Sequence, residues 1–143
     1  MSDSINKYNF YEKCESIIRS LMAEQGAYYF FKPVEPELDG APQYFMYITH
    51  PMSFYVIQEK LNNKAYSTPE EFIADVNQIW TNAKYYNGEG NHVYQSADNL
   101  SKKFDILSAS LPRTISPDER ASALQQYTEM RLKRYRQNKI THL

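Results

Sequence analysis

Residues 68–87 read TPEEFIADVNQIWTNAKYYN, and this stretch decides the fold. Thr68 stands where a helix N-cap belongs, and Glu71, three residues on, occupies the capping-box position. Pro69 suits the first helical position because the N–H it lacks would have no intrahelical partner there. Behind these signals Phe72, Val76, Ile79, Ala83 and Tyr86 recur every three or four residues, which lines one face of an α-helix. Asn87-Gly88-Glu89-Gly90 then forms a turn signal that ends it.

The same period extends in both directions. Upstream, Phe10, Cys14, Ile17, Ile18, Leu21 and Met22 share one helical face, which predicts a helix over about 4–25 with Gly26 as its C-cap. Ser53 can cap a short helix carrying Phe54, Ile57 and Leu61. Downstream, Val93, Ala97, Leu100, Phe104, Leu107 and Leu111 form a last apolar stripe, stopped by Pro112. Four amphipathic helices without an alternating strand pattern predict an all-α bundle. Ser116-Pro117-Asp118-Glu119 repeats the capping logic, so an additional C-terminal helix is expected. It carries Ala121, Leu124 and Tyr127, then the basic residues Arg131, Lys133, Arg134 and Arg136. The expected organisation is a domain over 1–112 and a basic helical extension over 113–143.

Between the first two helices the period is lost. Pro33, Pro36, Pro42 and Pro51 exclude a continuous helix, leaving a structureless connection of about 25 residues. Connections of that length inside compact domains are usually functional. This one holds Tyr28, Tyr29, Phe30, Phe31, Tyr44, Phe45 and Tyr47, too many aromatic rings for a solvated linker.

Composition narrows the function. The chain has 143 residues, 42% hydrophobic and 23% charged, which suits one globular domain and is too apolar for a disordered tail. One cysteine, Cys14, leaves no intramolecular disulfide and no cysteine-rich zinc site. His50, His92 and His142 have no partners at metal-ligand spacing, and nucleophile motifs and phosphate loops are missing, so no catalytic residue, metal or cofactor is expected. There is no run of about 18 apolar residues and no apolar leader at the start, so no membrane association is expected. Charge is uneven: residues 1–112 hold nine Lys/Arg against fourteen Asp/Glu, a net of −5, while 113–143 hold seven against three, a net of +4. An acidic body attracts basic partners, and a basic tail attracts nucleic acid.

Six pieces then fall in order: Phe30 to Val34 as F-x-x-P-V, Tyr44, Pro51-Met52 seven residues after it, Tyr66, Glu71-Phe72 with Asp75, and Asn82 to Asn87 as N-A-x-x-Y-N. Together they resemble the bromodomain family, the acetyl-lysine readers, over about residues 5–112. The family's usual P-M-D reads Pro51-Met52-Ser53 here, and serine caps a helix about as well as aspartate. Its frequent Trp-Pro-Phe shelf reads Tyr28-Tyr29-Phe30.

The resemblance implies a left-handed four-helix bundle, with an acetyl-lysine pocket between the long first loop and the turn after Tyr86. Asn87 would donate to the acetyl carbonyl oxygen, and Tyr44 would reach the same oxygen through a water. Phe30, Pro33, Val34, Leu38, Tyr86 and Val93 would line the tube, and Asn82 would tie the loop backbone to the bundle. The implied function is non-catalytic recognition of acetylated histone peptides, by a monomer, in the nucleus. Glu35, Glu37, Asp39 and Glu89 would favour a basic peptide. Two other readings stand beside it: a nucleic-acid or chromatin contact through the basic C-terminal helix, and a scaffold with a degenerate pocket. The basic residues would otherwise simply complement the negative end of their helix dipole.

Overall fold

The computed structural model describes residues 7–112, 125–126 and 128–137. It divides into two compact units, Met1–Arg113 and Thr114–Leu143. The first is a left-handed four-helix bundle. Its main helices are α1 (Lys7–Met22), α3 (Phe54–Asn62), α4 (Pro69–Tyr86) and α5 (His92–Ser108), and α2 is a single turn, Tyr44–Tyr47. No strand occurs among the described residues.

The helix ends follow from local chemistry. Ser53 accepts from the Val56 N–H at 3.4 Å and opens α3. Thr68 accepts from the Glu71 N–H at 3.3 Å, while the Glu71 carboxylate reaches back to the Thr68 N–H at 2.8 Å. That closes the capping box that opens α4, with Pro69 in the first turn. Asn91 accepts from the Val93 N–H at 2.7 Å and opens α5.

The apolar stripes meet in one core. Cys14, Ile18 and Leu21 of α1, Phe54, Ile57 and Leu61 of α3, Phe72 and Val76 of α4 and Ala97 and Phe104 of α5 are fully buried. Burial pushes the Cys14 thiol up to about 12, so it stays protonated and packs as a small hydrophobe. Trp80 packs edge-on against Phe30 and Phe54, with centroids 5.5 and 5.9 Å apart. Its Nε1 is buried without a hydrogen-bond partner among the described residues.

A polar tie joins the helices. The Tyr66 hydroxyl donates to Asp75 at 2.6 Å and the Lys60 ammonium donates to the same oxygen at 2.7 Å. The Tyr11 hydroxyl donates to the Tyr66 carbonyl, which connects α1 to this group. Burial and the neighbouring Asp75 raise the Tyr66 phenol, so it remains a donor.

Three expectations need correction. Residues 27–53 are not structureless: Ala27–Phe30 forms a 3-10 helix and Tyr44–Tyr47 one α-helical turn. The first helix ends at Met22, and Gly26 instead begins the 3-10 helix with φ +83°. The last core helix ends at Ser108, yet Leu111 is still buried, because the turn after it bonds the Leu111 N–H to the Ser108 carbonyl at 3.0 Å. In the second unit residues 128–137 are helical, with Lys133, Arg134 and Arg136 exposed. The expected helix start at Ser116 and the stripe of Ala121, Leu124 and Tyr127 lie outside the described residues.

Candidate acetyl-lysine site

A second, smaller apolar cluster forms apart from the main core. Ala41, Tyr44 and Ile48 are buried in it, and Val34 and Tyr86 pack against them half-buried. Its members come from the long loop and from the last residue of α4. The one-turn helix α2 makes the meeting possible. Placed four apart, Tyr44 and Ile48 face the same way, and the Ile48 N–H bonds the Tyr44 carbonyl at 2.9 Å. The Tyr44 and Tyr86 rings lie 5.0 Å apart at 57°, within the range of favourable aromatic pairs.

Asn87 follows Tyr86 directly and caps α4 in an extended conformation, φ −108° and ψ 145°. Its Nδ2 donates to the Ala83 carbonyl at 2.8 Å. A carboxamide carries two N–H donors, so one fixes the side chain to the helix end and a second remains. The Tyr44 hydroxyl has no partner among the described residues. Burial and the adjacent Tyr86 raise its pKa, so it remains an O–H donor at neutral pH.

Loop position is set from beneath. Asn82, buried in α4, donates to the His50 carbonyl at 2.8 Å and accepts from Gln78 at 2.7 Å. This is the expected tie of loop backbone to bundle.

The structure thus brings Val34, Tyr44 and Tyr86 together beside Asn87. The other expected lining residues lie outside that cluster. Phe30 is buried in the main core, and Val93 packs half-buried against that core. Pro33 is exposed, and Leu38 is 82% exposed. Leu38 stands at the apex of a tight turn, closed by Asp39 N–H to the Glu35 carbonyl at 2.8 Å and Ala41 N–H to the Pro36 carbonyl at 2.7 Å, which aims it outward. Sequence reasoning missed Ala41 and Ile48 as the floor of this cluster. The spacing of Tyr44 and Ile48 was the available signal.

The bromodomain family model matches residues 14–99. The chain belongs to the bromodomain family. It is 41% identical over 95 residues to transcription factor GTE11 of Arabidopsis thaliana, covering 66% of this chain and 15% of that protein. It is 38% identical over 104 residues to an ankyrin repeat, bromo and BTB domain-containing protein of Dictyostelium discoideum, covering 73% and 13%. Bromodomain-containing factor 1 of Saccharomyces cerevisiae is 34% identical over 102 residues, covering 69% and 15%. The similarity therefore spans about one-seventh of each relative. In this bromodomain Ser53 supplies the helix cap, and the shelf position holds Tyr28 and Tyr29, whose rings lie 4.3 Å apart.

Proposed function

We propose that this bromodomain is a non-catalytic reader of acetylated lysine on histone tails, acting as a monomer in the nucleus. One observation carries the reading: Val34, Tyr44 and Tyr86 pack together next to Asn87 in a chain of this family. Acetyl-lysine is a neutral amide on an apolar stem. The stem enters among Val34, Tyr86 and the rim residues Phe30, Pro33, Leu38 and Val93. The free N–H of Asn87 donates to the acetyl oxygen, and the Tyr44 hydroxyl reaches it through a water. Unmodified lysine is rejected because its ammonium would lose hydration without gaining an acceptor, at a cost of several kcal/mol. Relatives named as transcription factors support a chromatin setting.

The test is a titration of one labelled histone-tail peptide, acetylated and unacetylated. Binding of the acetylated form alone is expected; equal binding of both would overturn the reading.

A second reading concerns the other unit. Residues 128–137 are helical and expose Lys133, Arg134 and Arg136. At 100° per residue the three charges fall within an arc of about 160°, so one side of the helix is basic and suits contact with phosphates. We assign this unit an auxiliary contact with nucleic acid, tested by the salt dependence of duplex binding.

A further inference from the structure

Tyr86 is the last residue of α4, so no later turn of its own helix flanks its ring. A helical side chain leans back over the preceding turn. The positions three and four before Tyr86 hold Ala83, a methyl group, and Asn82, whose amide is committed to the His50 carbonyl at 2.8 Å. The helix therefore offers the Tyr86 ring little support, and its placing falls to the long loop.

Two rings of α2 supply that support. Tyr44 and Tyr47 lie three residues apart on the single turn, which makes them neighbours on one side of it. The Tyr44 centroid is 5.0 Å from that of Tyr86 at 57°, and the Tyr47 centroid is 6.3 Å from it at 63°, edge to face. Tyr86 is the ring common to both pairs. Burial falls along the row: Tyr44 is buried, Tyr86 half-buried and Tyr47 53% exposed. Tyr86 is thus braced from within by Tyr44 and from the solvent side by Tyr47. Asn87 does not share this dependence, because its amide is fixed by its own bond to Ala83 at 2.8 Å.

We propose that Tyr47 is a positioning residue of the acetyl-lysine site, which holds the Tyr86 ring in place as a wall for the lysine stem. It acts through Tyr86 and not on the ligand. The inference rests on the acetyl-lysine reading and adds to it a residue outside the buried cluster. Without Tyr47 the Tyr86 ring gains freedom that binding must remove again, so affinity falls through lost preorganisation. The loss belongs to the stem, since the amide end is held by Asn87.

The experiment titrates two probes on the full chain by NMR: an acetyl-lysine peptide, and N-methylacetamide, which is the same amide without the stem. Tyr47→Ala is expected to weaken the peptide about fivefold, the size of one aromatic pair, and N-methylacetamide less than twofold. Tyr47→Phe keeps the ring and should restore peptide affinity to within twofold of the parent. In a Tyr86→Ala background Tyr47→Ala should cost nothing further, because the ring it braces is gone. Met46→Ala, at a neighbouring position that is 74% exposed, should change neither probe. Unchanged peptide affinity in Tyr47→Ala, equal weakening of both probes, or no rescue by phenylalanine would overturn the role. So would an undiminished loss in the Tyr86→Ala background, which would put Tyr47 on the ligand itself. If the parent binds neither probe, the acetyl-lysine reading falls and this role falls with it. Should the alanine variant unfold, Tyr47→Leu, apolar but without a ring, takes its place under the same expectations.

Discussion

At the scale of single residues, Asn87 carries two duties that one substitution removes together. Its amide holds the Ala83 carbonyl at 2.8 Å and supplies the donor proposed for the acetyl group. Asn87→Ala should cost tenfold or more in acetyl-peptide affinity, because a direct hydrogen bond is lost and the acetyl oxygen is left unpaired. It should also lower the melting temperature by a few degrees, since the helix end loses about 0.5–1.5 kcal/mol. Tyr44→Phe should cost less affinity, because it loosens a water rather than a direct bond. Calorimetric titration of both variants checks the ranking, and a larger effect at Tyr44 would reverse the two roles. Gly26 is the other telling position. Its φ of +83° is one that L side chains rarely adopt, and a Cβ there would lie 2.4 Å from Ser96 Oγ. Gly26→Ala should therefore destabilise the domain by at least the 1–2 kcal/mol of a left-handed residue. Adding Ser96→Ala should recover only the clash. Full recovery in denaturant melts of the double variant would mean that backbone strain contributes nothing.

At the scale of elements, the capping box of α4 gives a pH-dependent prediction. The N–H groups of Ser67 and Thr68 hold the Glu71 carboxyl below its ordinary pKa. A depressed carboxyl contributes stability above its unfolded value, about 4.3, and loses it as pH falls through the lower folded value. Glu71→Gln keeps an acceptor but cannot titrate. Between about pH 5 and pH 2 its melting temperature should therefore fall less than that of the parent. An identical fall would show that the box has no part in acid sensitivity. This box was legible in the sequence because Thr68, Pro69 and Glu71 are adjacent signals that act on one another. The long stripes of α1, α4 and α5 were legible because three or more turns repeat the period. Tyr11 obeys the same rule: at 11, 14, 18 and 21 it belongs to the α1 stripe, and it is buried beside Phe10. The short helices in residues 27–53 were not legible. Four residues are too few to display a 3.6-residue period, and the surrounding prolines read as breaks. The site was legible in part for a related reason. Val34, Tyr44, Tyr86 and Asn87 lie in ordered motif positions, whereas the outward aim of Leu38 depends on a turn closed by backbone hydrogen bonds, which leave little trace in residue type.

At the scale of the whole molecule, acidic and basic charge fall in different units: ten Lys/Arg against fourteen Asp/Glu, a net of −4, over residues 1–113, and six against three, a net of +3, over 114–143. Among the described residues, every member of the main cluster lies between Phe10 and Leu111. Truncation after Pro112 should therefore leave the bundle cooperatively folded, with acetyl-peptide affinity within about threefold, as Val34, Tyr44, Tyr86 and Asn87 are all retained. A molten or insoluble product would mean that residues beyond Pro112 complete the core. Duplex binding should respond in the opposite way. Each phosphate neutralised contributes about −0.9 to the slope of log affinity against log salt, so about four contacts by the tail give a slope near −3.6. The full chain should show that slope and the truncated chain almost none, because an acidic body repels the duplex. A full-length slope near zero would show that the basic helix holds no phosphates and serves only its own helix dipole.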